Sequence, residues 1–342
     1  MKQLITLTAL LLLSIVGVAQ NFDNAGEYMG YIGKQQENIS KKFLSYTSAS
    51  AHGKKEKKVE ALRNKLINEV EESRMNISGM PSFKNDKAYR DTAVSFMKLY
   101  YRVLNDDYSK IVNMEEIAEQ SYDAMEAYLL LQEKVNEKLQ EGNEKMKVAE
   151  AAFAAKNNVN LLKDQSELGD MMEQVHQLNV YYHQIYLLFF RPYKQEAYLL
   201  EAIGKGNITG IEQNKNALLK YAQEGLEKLN GIKAFKGDNS MMAACKTMLT
   251  FYVKEVNDKM GSISDYFLTK ERFDKIKKEF EKKSEPSKDE VAAYNKGVAD
   301  INKASNAYNQ SNQTLNQERK EALDNWNKSE KGFFDEHTPH YK

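Results

Sequence analysis

Residues 178–200, near the middle of the chain, constrain the fold more than any other feature. This stretch is rich in tyrosine, phenylalanine and leucine, and its apolar residues fall on nearly every side of a helix. A helix that is apolar all round is normally buried, whereas a surface helix keeps one polar face. The stretch therefore predicts a central helix, over 168–203, that the rest of the chain covers.

The flanking regions also have helical periodicity, and only four prolines interrupt 342 residues. Two segments carry apolar residues at alternating steps of three and four, the heptad pattern of helices that pack side by side. One runs from Met114 to Phe153 and the other from Val291 to Trp326. Together these patterns predict an all-α, elongated bundle of about eight or nine helices.

The chain also contains an internal duplication. Residues 79–111 match residues 231–263 without gaps, 152 positions further on, and the identical pairs include Phe83 with Phe235 and Asp86 with Asp238. We interpret the match as two related helical halves, at 20–158 and 159–330, followed by an irregular tail at 331–342. The two aspartates are predicted to be helix caps.

The duplication also bears on the single cysteine. Cys245 aligns with Ala93, a small helical residue, which favours a buried small apolar side chain over a reactive thiol. With one cysteine in the chain, no intrachain disulfide is possible.

The N-terminus has the pattern of a secretory signal peptide. Lys2 precedes a short apolar run over 4–18, and the small residues before Gln20 predict cleavage after Ala19. The run is shorter than the roughly 20 apolar residues that span a bilayer. We therefore expect a signal peptide at 1–19, an exported protein in the periplasm or at the cell surface, and no transmembrane span in the mature chain.

The charge balance argues against a nucleic-acid partner. Lys plus Arg equals Asp plus Glu, at 49 each, and the charges alternate rather than cluster. Polyanion-binding domains usually show a basic excess or stripe.

No phosphate-binding loop, zinc spacing or nucleophile elbow is present in the sequence. Glu173 and His176 have the spacing of a carboxylate-bridged metal site in a helical bundle, but such a site needs a second Glu-x-x-His and two further glutamates. These two residues are therefore weak metal candidates. No cofactor and no catalytic residue is predicted.

The central stretch contains one candidate ligand site. Pro192 interrupts the helix beside Arg191 and Glu196, and a kink there could shape a pocket between helices. The candidate ligand-binding residues are Tyr182, His183, Arg191, Tyr193 and Glu196. The alternative interpretation is an internal ion pair at a bend in a core helix.

Several segments resemble an uncharacterised family of exported, all-helical bacterial surface proteins, first noticed in leptospires. The resemblance rests on Ser45-Tyr46-Thr47, on Ala51-His52-Gly53-Lys54, on residues 104–108 and 115–123, and on Phe189-Phe190-x-Pro192-Tyr193-Lys194-Gln195-Glu196. It covers essentially the whole mature chain and implies a periplasmic or surface location. It implies no activity, cofactor or site residue.

The sequence thus leads to three hypotheses of different classes. The preferred one is a non-catalytic envelope protein whose helical surfaces, suggested by the two heptad seams, contact a protein partner or a second copy of the chain. The first alternative is a small-ligand binding protein with an aromatic pocket beside the 178–200 helix. The second is a metal-binding helical-bundle enzyme.

Overall fold

The computed structural model describes residues 22–107, 118–161 and 166–341. Helices account for nearly all of these residues, which confirms the predicted all-α bundle; the described β-structure is two isolated bridges. The helices are α1 (Ala25–Ala51), α2 (Glu56–Ser78), α3 (Ala88–Arg102), α4 (Tyr122–Lys156), α5 (Glu167–Gly204), α6 (Ile208–Leu229), α7 (Ser240–Lys254), α8 (Met260–Glu281) and α9 (Lys288–His337).

The segments that match in sequence also match element by element in the structure. Helix α3 corresponds to α7 at the same offset of 152 residues, and each continues directly into a π-helical turn, at Val103–Asp107 and at Glu255–Lys259. Ala93 and Cys245, which align, are both 0% exposed. The predicted burial of the thiol is confirmed, and burial raises the pKa of Cys245 to about 12.

The turn before each of these helices is the same tight hairpin. Phe83 and Asp86 exchange two backbone hydrogen bonds, of 3.0 and 2.8 Å, and Phe235 and Asp238 do so at 3.1 and 2.9 Å. The two residues inside each turn have positive φ, with values of 48° and 65° in the first turn and 50° and 90° in the second. Two successive positive φ angles define a type I′ turn. Each aspartate also accepts a hydrogen bond from the first backbone N–H of the next helix, that of Ala88 or Ser240. The N-cap positions themselves are Lys87 and Asn239, one residue later than predicted.

Helix α5 lies between two groups of helices. It contacts α1 and α4 on one side and α6, α7 and α9 on the other. Its buried residues form one stripe, while Tyr193, Tyr198 and Leu200 are 36%, 40% and 37% exposed. The expectation that 178–200 is buried all round was therefore wrong. Tyrosine carries a hydroxyl that water can solvate, so tyrosines suit the edges of such a stripe. The division into domains at residue 158 stays a prediction.

The described positions of both heptad seams pack at least partly within the chain, except Val291 at the start of the second seam, which is 40% exposed. Met125, Val135, Met146 and Phe153 are the buried face of α4, and Leu315, Ala322 and Trp326 are buried on α9. Helix α4 starts later than its seam suggested, because Ser121 caps it by accepting a hydrogen bond from the Ala124 N–H at 3.1 Å. The first residues of the seam, from Met114 to residue 117, fall outside the described residues.

Helices α8 and α9 form an antiparallel hairpin that extends beyond the core. We call residues 264–314 the arm. Gly297 is its only buried residue, and a Cβ atom there would lie 2.9 Å from Cδ2 of Phe273. The Tyr294 ring stacks on Phe280 at 4.5 Å. The arm is thus held by aromatic packing between its own two helices.

The C-terminal tail is more ordered than the sequence suggested. Residues 331–337, predicted to be irregular, continue α9 because Phe333 and His337 extend its buried face. Beyond the helix the chain returns to the end of α1. The Tyr341 N–H donates to Ser48 Oγ at 3.0 Å, and the His340 ring stacks on His52 at 3.7 Å.

No helix in the described part of the chain combines the length and hydropathy needed to cross a membrane. The predicted signal peptide, with its cleavage point after Ala19, lies outside the described residues.

Candidate functional site

The five candidate ligand-binding residues are distributed along α5 rather than gathered around one cavity. The Tyr182 hydroxyl donates a hydrogen bond to Glu330 on α9, and burial raises the pKa of Tyr182 well above its usual value. Nδ1 of His183 is buried without a hydrogen-bond partner, and burial lowers the pKa of that imidazole. Tyr182 therefore belongs to the contact between α5 and α9.

Arg191 faces helix α6 rather than Glu196. Its guanidinium lies 3.9 Å from the Tyr221 ring centroid and 5.0 Å from that of Tyr122, and Nη1 is 3.5 Å from Glu224 Oε2. A planar guanidinium stacks well on aromatic faces. Arg191 and Glu196 therefore do not form the internal ion pair with each other that the sequence allowed.

Pro192 lies inside α5 without ending it. Proline has no N–H, so the carbonyl four residues earlier, that of Leu188, loses its helical donor. A Cβ atom at Gly225 would make only an ordinary contact with this Leu188 oxygen, at 3.6 Å, whereas it would lie 3.0 Å from Leu249 on α7. The missing side chain therefore makes room for Leu249. Tyr193, next along the helix, stacks on Phe189 at 5.4 Å and remains part-exposed.

Glu196 belongs to a buried charged cluster that the sequence did not reveal. Arg319 on α9 donates from Nε to Glu196 Oε1 at 2.5 Å and from Nη2 to Glu255 Oε1 at 2.8 Å. The side chains of Glu196 and Glu255 are 3% and 0% exposed. The cluster joins α5, α9 and the second π-helical turn. Because it is closed to solvent, it can hold these elements together but is not open to a substrate.

The two carboxyls of this cluster share one cation, so one of them keeps a proton. Burial, followed by the neighbouring charge of Glu196, raises the pKa of Glu255 to about 9, although Arg319 acts in the opposite direction. At neutral pH the cluster therefore holds one carboxylate, one carboxylic acid and one guanidinium, with no net charge. Glu255 Oε2 and the Tyr252 hydroxyl are buried there without a hydrogen-bond partner.

The weak metal candidates do not assemble a metal site. Glu173 accepts a hydrogen bond from Gln177 at 2.7 Å. The described residues contain one group of three potential ligands within 4.8 Å of one another, and it is a different one, Asp238, Glu336 and His337. There His337 Nε2 lies 2.8 Å from Asp238 Oδ2, which fastens the end of α9 to the second turn. Lys156 makes the corresponding contact with Asp86, at 2.7 Å.

Glu173 and His176 instead line an open cavity. It has a volume of about 780 Å³ and lies between α1, α3, α4 and the first half of α5. We call it the four-helix groove. Phe43, Phe96 and Tyr100 are among its apolar lining residues. A second cavity of about 1140 Å³ lies between α3 and α4. We call it the acidic groove, because four of its eleven lining residues are carboxylates and one is a lysine.

The sequence missed both grooves, because each depends on how separate helices cross. No protein-family model, curated protein or solved structure matches the chain.

Proposed function

We propose that the chain is an exported, non-catalytic envelope protein that acts through protein contacts made by its arm. The observation that carries this proposal is the exposure of the arm: of residues 264–314, Gly297 alone is buried. A helical hairpin that leaves the core in this way offers most of its surface to another molecule. Three large apolar side chains are exposed on it, Leu268, Ile276 and Val291, at 37%, 36% and 40%.

The heptad seams, which suggested partner contacts in the sequence, give little support to this proposal, because their described positions other than Val291 pack inside the chain. Export is supported by the N-terminal sequence pattern and by the family resemblance. Mass spectrometry of protein taken from the envelope fraction of its own host tests it. We expect a chain that begins at Gln20; a chain that begins at Met1 in the cytoplasmic fraction would contradict export.

The partner that fits the arm best is a second copy of the chain. Residues 270–288, which cover most of α8 and the loop before α9, carry eight basic and five acidic residues. The acidic groove of another copy offers the opposite charge, with Glu137 and Glu141 on its wall, and Val148 beside them is 69% exposed. Such a contact joins two different surfaces, so it builds rings or open chains rather than a two-fold dimer.

A charge-reversal experiment tests this contact by sedimentation velocity at low salt. Lys277→Glu with Lys278→Glu in the arm, or Glu137→Lys with Glu141→Lys in the groove, should each weaken self-association. An equimolar mixture of the two variants should restore it, because each supplies the surface that the other needs. Lys320→Glu with Lys328→Glu, exposed on the body of α9, is the matched control and should associate like the wild type.

Two results would contradict the proposal. One is a wild-type chain that stays monomeric at all concentrations and shows no cross-link to any envelope protein through the arm. The other is a variant without the arm that keeps all associations of the full chain. Ser262 Oγ and Ser311 Oγ are 2.7 Å apart, so a short glycine linker can replace most of the arm at this point without straining the body.

A further inference from the structure

The four-helix groove is a built cavity that the proposed contacts of the arm do not use. Its volume of about 780 Å³ lies within the usual range of small-molecule sites. The walls combine the apolar side chains of Phe43, Phe96 and Met146 with a set of carboxylates. A ligand for such a groove needs an apolar body to cover these side chains and a polar group to meet the carboxylates.

The charges around the groove are not balanced. Among its four glutamates, Glu37 is paired with Lys34 and Lys41 of its own helix, and Glu144 is 2.8 Å from Lys147. The lining residues include no lysine or arginine other than Lys147, which is already engaged. Two carboxylates, on α4 and on α5, are therefore left without a cation.

Glu150 is the more informative of these two carboxylates. It is half-buried in the wall, and no hydrogen bond or ion pair joins it to another described residue. Burial raises its pKa, and no nearby cation counteracts that effect. Glu173, on the facing helix, is exposed to water and accepts a hydrogen bond from the Gln177 amide at 2.7 Å, so Glu150 is the carboxylate that a ligand would pair with.

We propose that the four-helix groove binds an organic cation, an amine attached to an apolar or aromatic body. The ammonium group lies at Glu150, and the apolar body lies against Phe43, Phe96 and Tyr100. Aromatic faces attract cations as well as apolar groups, so the same rings hold both parts of the ligand. This proposal does not depend on the arm, which lies on other helices.

Dansylcadaverine, a fluorescent aromatic group on a chain that ends in a primary ammonium, is a suitable probe. N-pentyl dansylamide, which lacks the amine, is its neutral counterpart. We expect saturable binding of the amine by the full chain at pH 8, where histidine side chains are generally neutral. Binding of the neutral compound should be weaker by about tenfold or more, the loss expected for a single good charged contact.

Substitution of Glu150 tests both whether a carboxylate is needed and whether the amine binds in the four-helix groove. Glu150→Gln should weaken binding of the amine by about tenfold and leave binding of the neutral compound unchanged. Glu141→Gln is the matched control, because Glu141 lies on the same helix but lines only the acidic groove.

A second pair of variants tests the location without altering charge. A side chain added at Gly33, which lines the groove, would meet nothing within 4 Å at its Cβ, and the same holds at Gly30, which does not line it. Gly33→Phe should therefore fold normally and abolish binding of both compounds, while Gly30→Phe should bind like the wild type.

Three results would overturn the inference: no saturable binding of the amine, equal binding of the neutral compound, or undiminished binding by Gly33→Phe. Self-association is measured separately from amine binding. A groove that binds no amine would therefore leave the proposed function of the arm unaffected, and a chain that does not self-associate would leave the groove proposal unaffected.

Discussion

The proton on Glu255 makes the stability of this protein depend on pH. In the unfolded chain this carboxyl loses its proton above about pH 4.5, whereas in the folded protein it keeps the proton up to about pH 9. The folded state therefore binds more protons than the unfolded state across this window. As a result, the contribution of Glu255 to the free energy of unfolding falls as pH rises from about 4.5 to about 9.

Glu255→Gln should remove this dependence, because an amide resembles the protonated carboxyl in shape and cannot ionise. We expect the variant to unfold at nearly the wild-type temperature at pH 5 and at a clearly higher temperature at pH 9. Thermal unfolding across this range checks the prediction. Glu285→Gln, in the exposed loop before α9, should show no such trend. A difference between variant and wild type that stays constant with pH would show that Glu255 is ionised throughout.

Arg319→Leu, in the same cluster, should instead destabilise the protein. Without the guanidinium, two buried carboxyls face each other with no cation, and removing one partner of a buried ion pair typically costs about 3 to 5 kcal/mol. Denaturant unfolding at pH 7 should show a loss of this size. Arg272→Leu, exposed on α8, is the control and should change stability little.

The sequence contained only a partial signal for this cluster. Arg319 occupies a position on the apolar seam of the last helix, and a charge on a buried seam requires a partner. Its partners lie 123 and 64 residues away, so nothing local in the sequence identifies them. Arg191 and Glu196, which are close in sequence, were the more obvious pair, yet they point to different neighbours.

At the level of single elements, the two type I′ turns are the most demanding local structures. A positive φ costs an ordinary residue about 1 to 2 kcal/mol, whereas glycine adopts it freely. Gly237, at φ 90°, has open space around the position of a Cβ. Gly237→Ala should therefore destabilise the protein by about 1 kcal/mol through backbone strain alone.

Gly261→Ala is the matched control for that substitution. Gly261 also has open space but lies within helix α8 without a positive φ. Alanine should stabilise the helix there by about 0.5 to 1 kcal/mol. The two substitutions should therefore change the free energy of unfolding in opposite directions, which chemical denaturation measures. Equal effects would show that the turn does not need a left-handed residue.

Most helices could be predicted from periodicity, and the duplication predicted that Cys245 is buried. The errors arose where tertiary contacts override local signals. Gly332 suggested an end to the last helix, but Phe333 and His337 pack into the core and carry the helix on.

On the scale of the whole molecule, the last residues connect the end of α9 to the end of α1. Besides the contacts of His340 and Tyr341, Asp335 Oδ1 lies 2.8 Å from His52 Nδ1. The imidazole holds the pKa of the Asp335 carboxyl below its usual range. Contacts between elements so far apart in sequence are costly in chain entropy, so they form late in folding.

Removal of residues 338–342 should loosen the end of α1 locally. We expect amide hydrogen exchange to accelerate around residues 48–52 and to stay unchanged in α6 and α7, as measured by mass spectrometry. His340→Phe keeps an aromatic ring in the stack and should exchange like the full chain. Unchanged exchange in the truncated chain would show that the tail contacts carry little energy.

This closing contact also has a consequence for the order of assembly on the ribosome. Ser48 and Tyr341 are 293 positions apart. The groups on α1 that receive the tail therefore emerge from the ribosome 293 residues before Tyr341 does. A nascent chain cannot make this contact until Tyr341 has been added, however well its first helices have formed. This side of α1 therefore waits for its partner through most of translation.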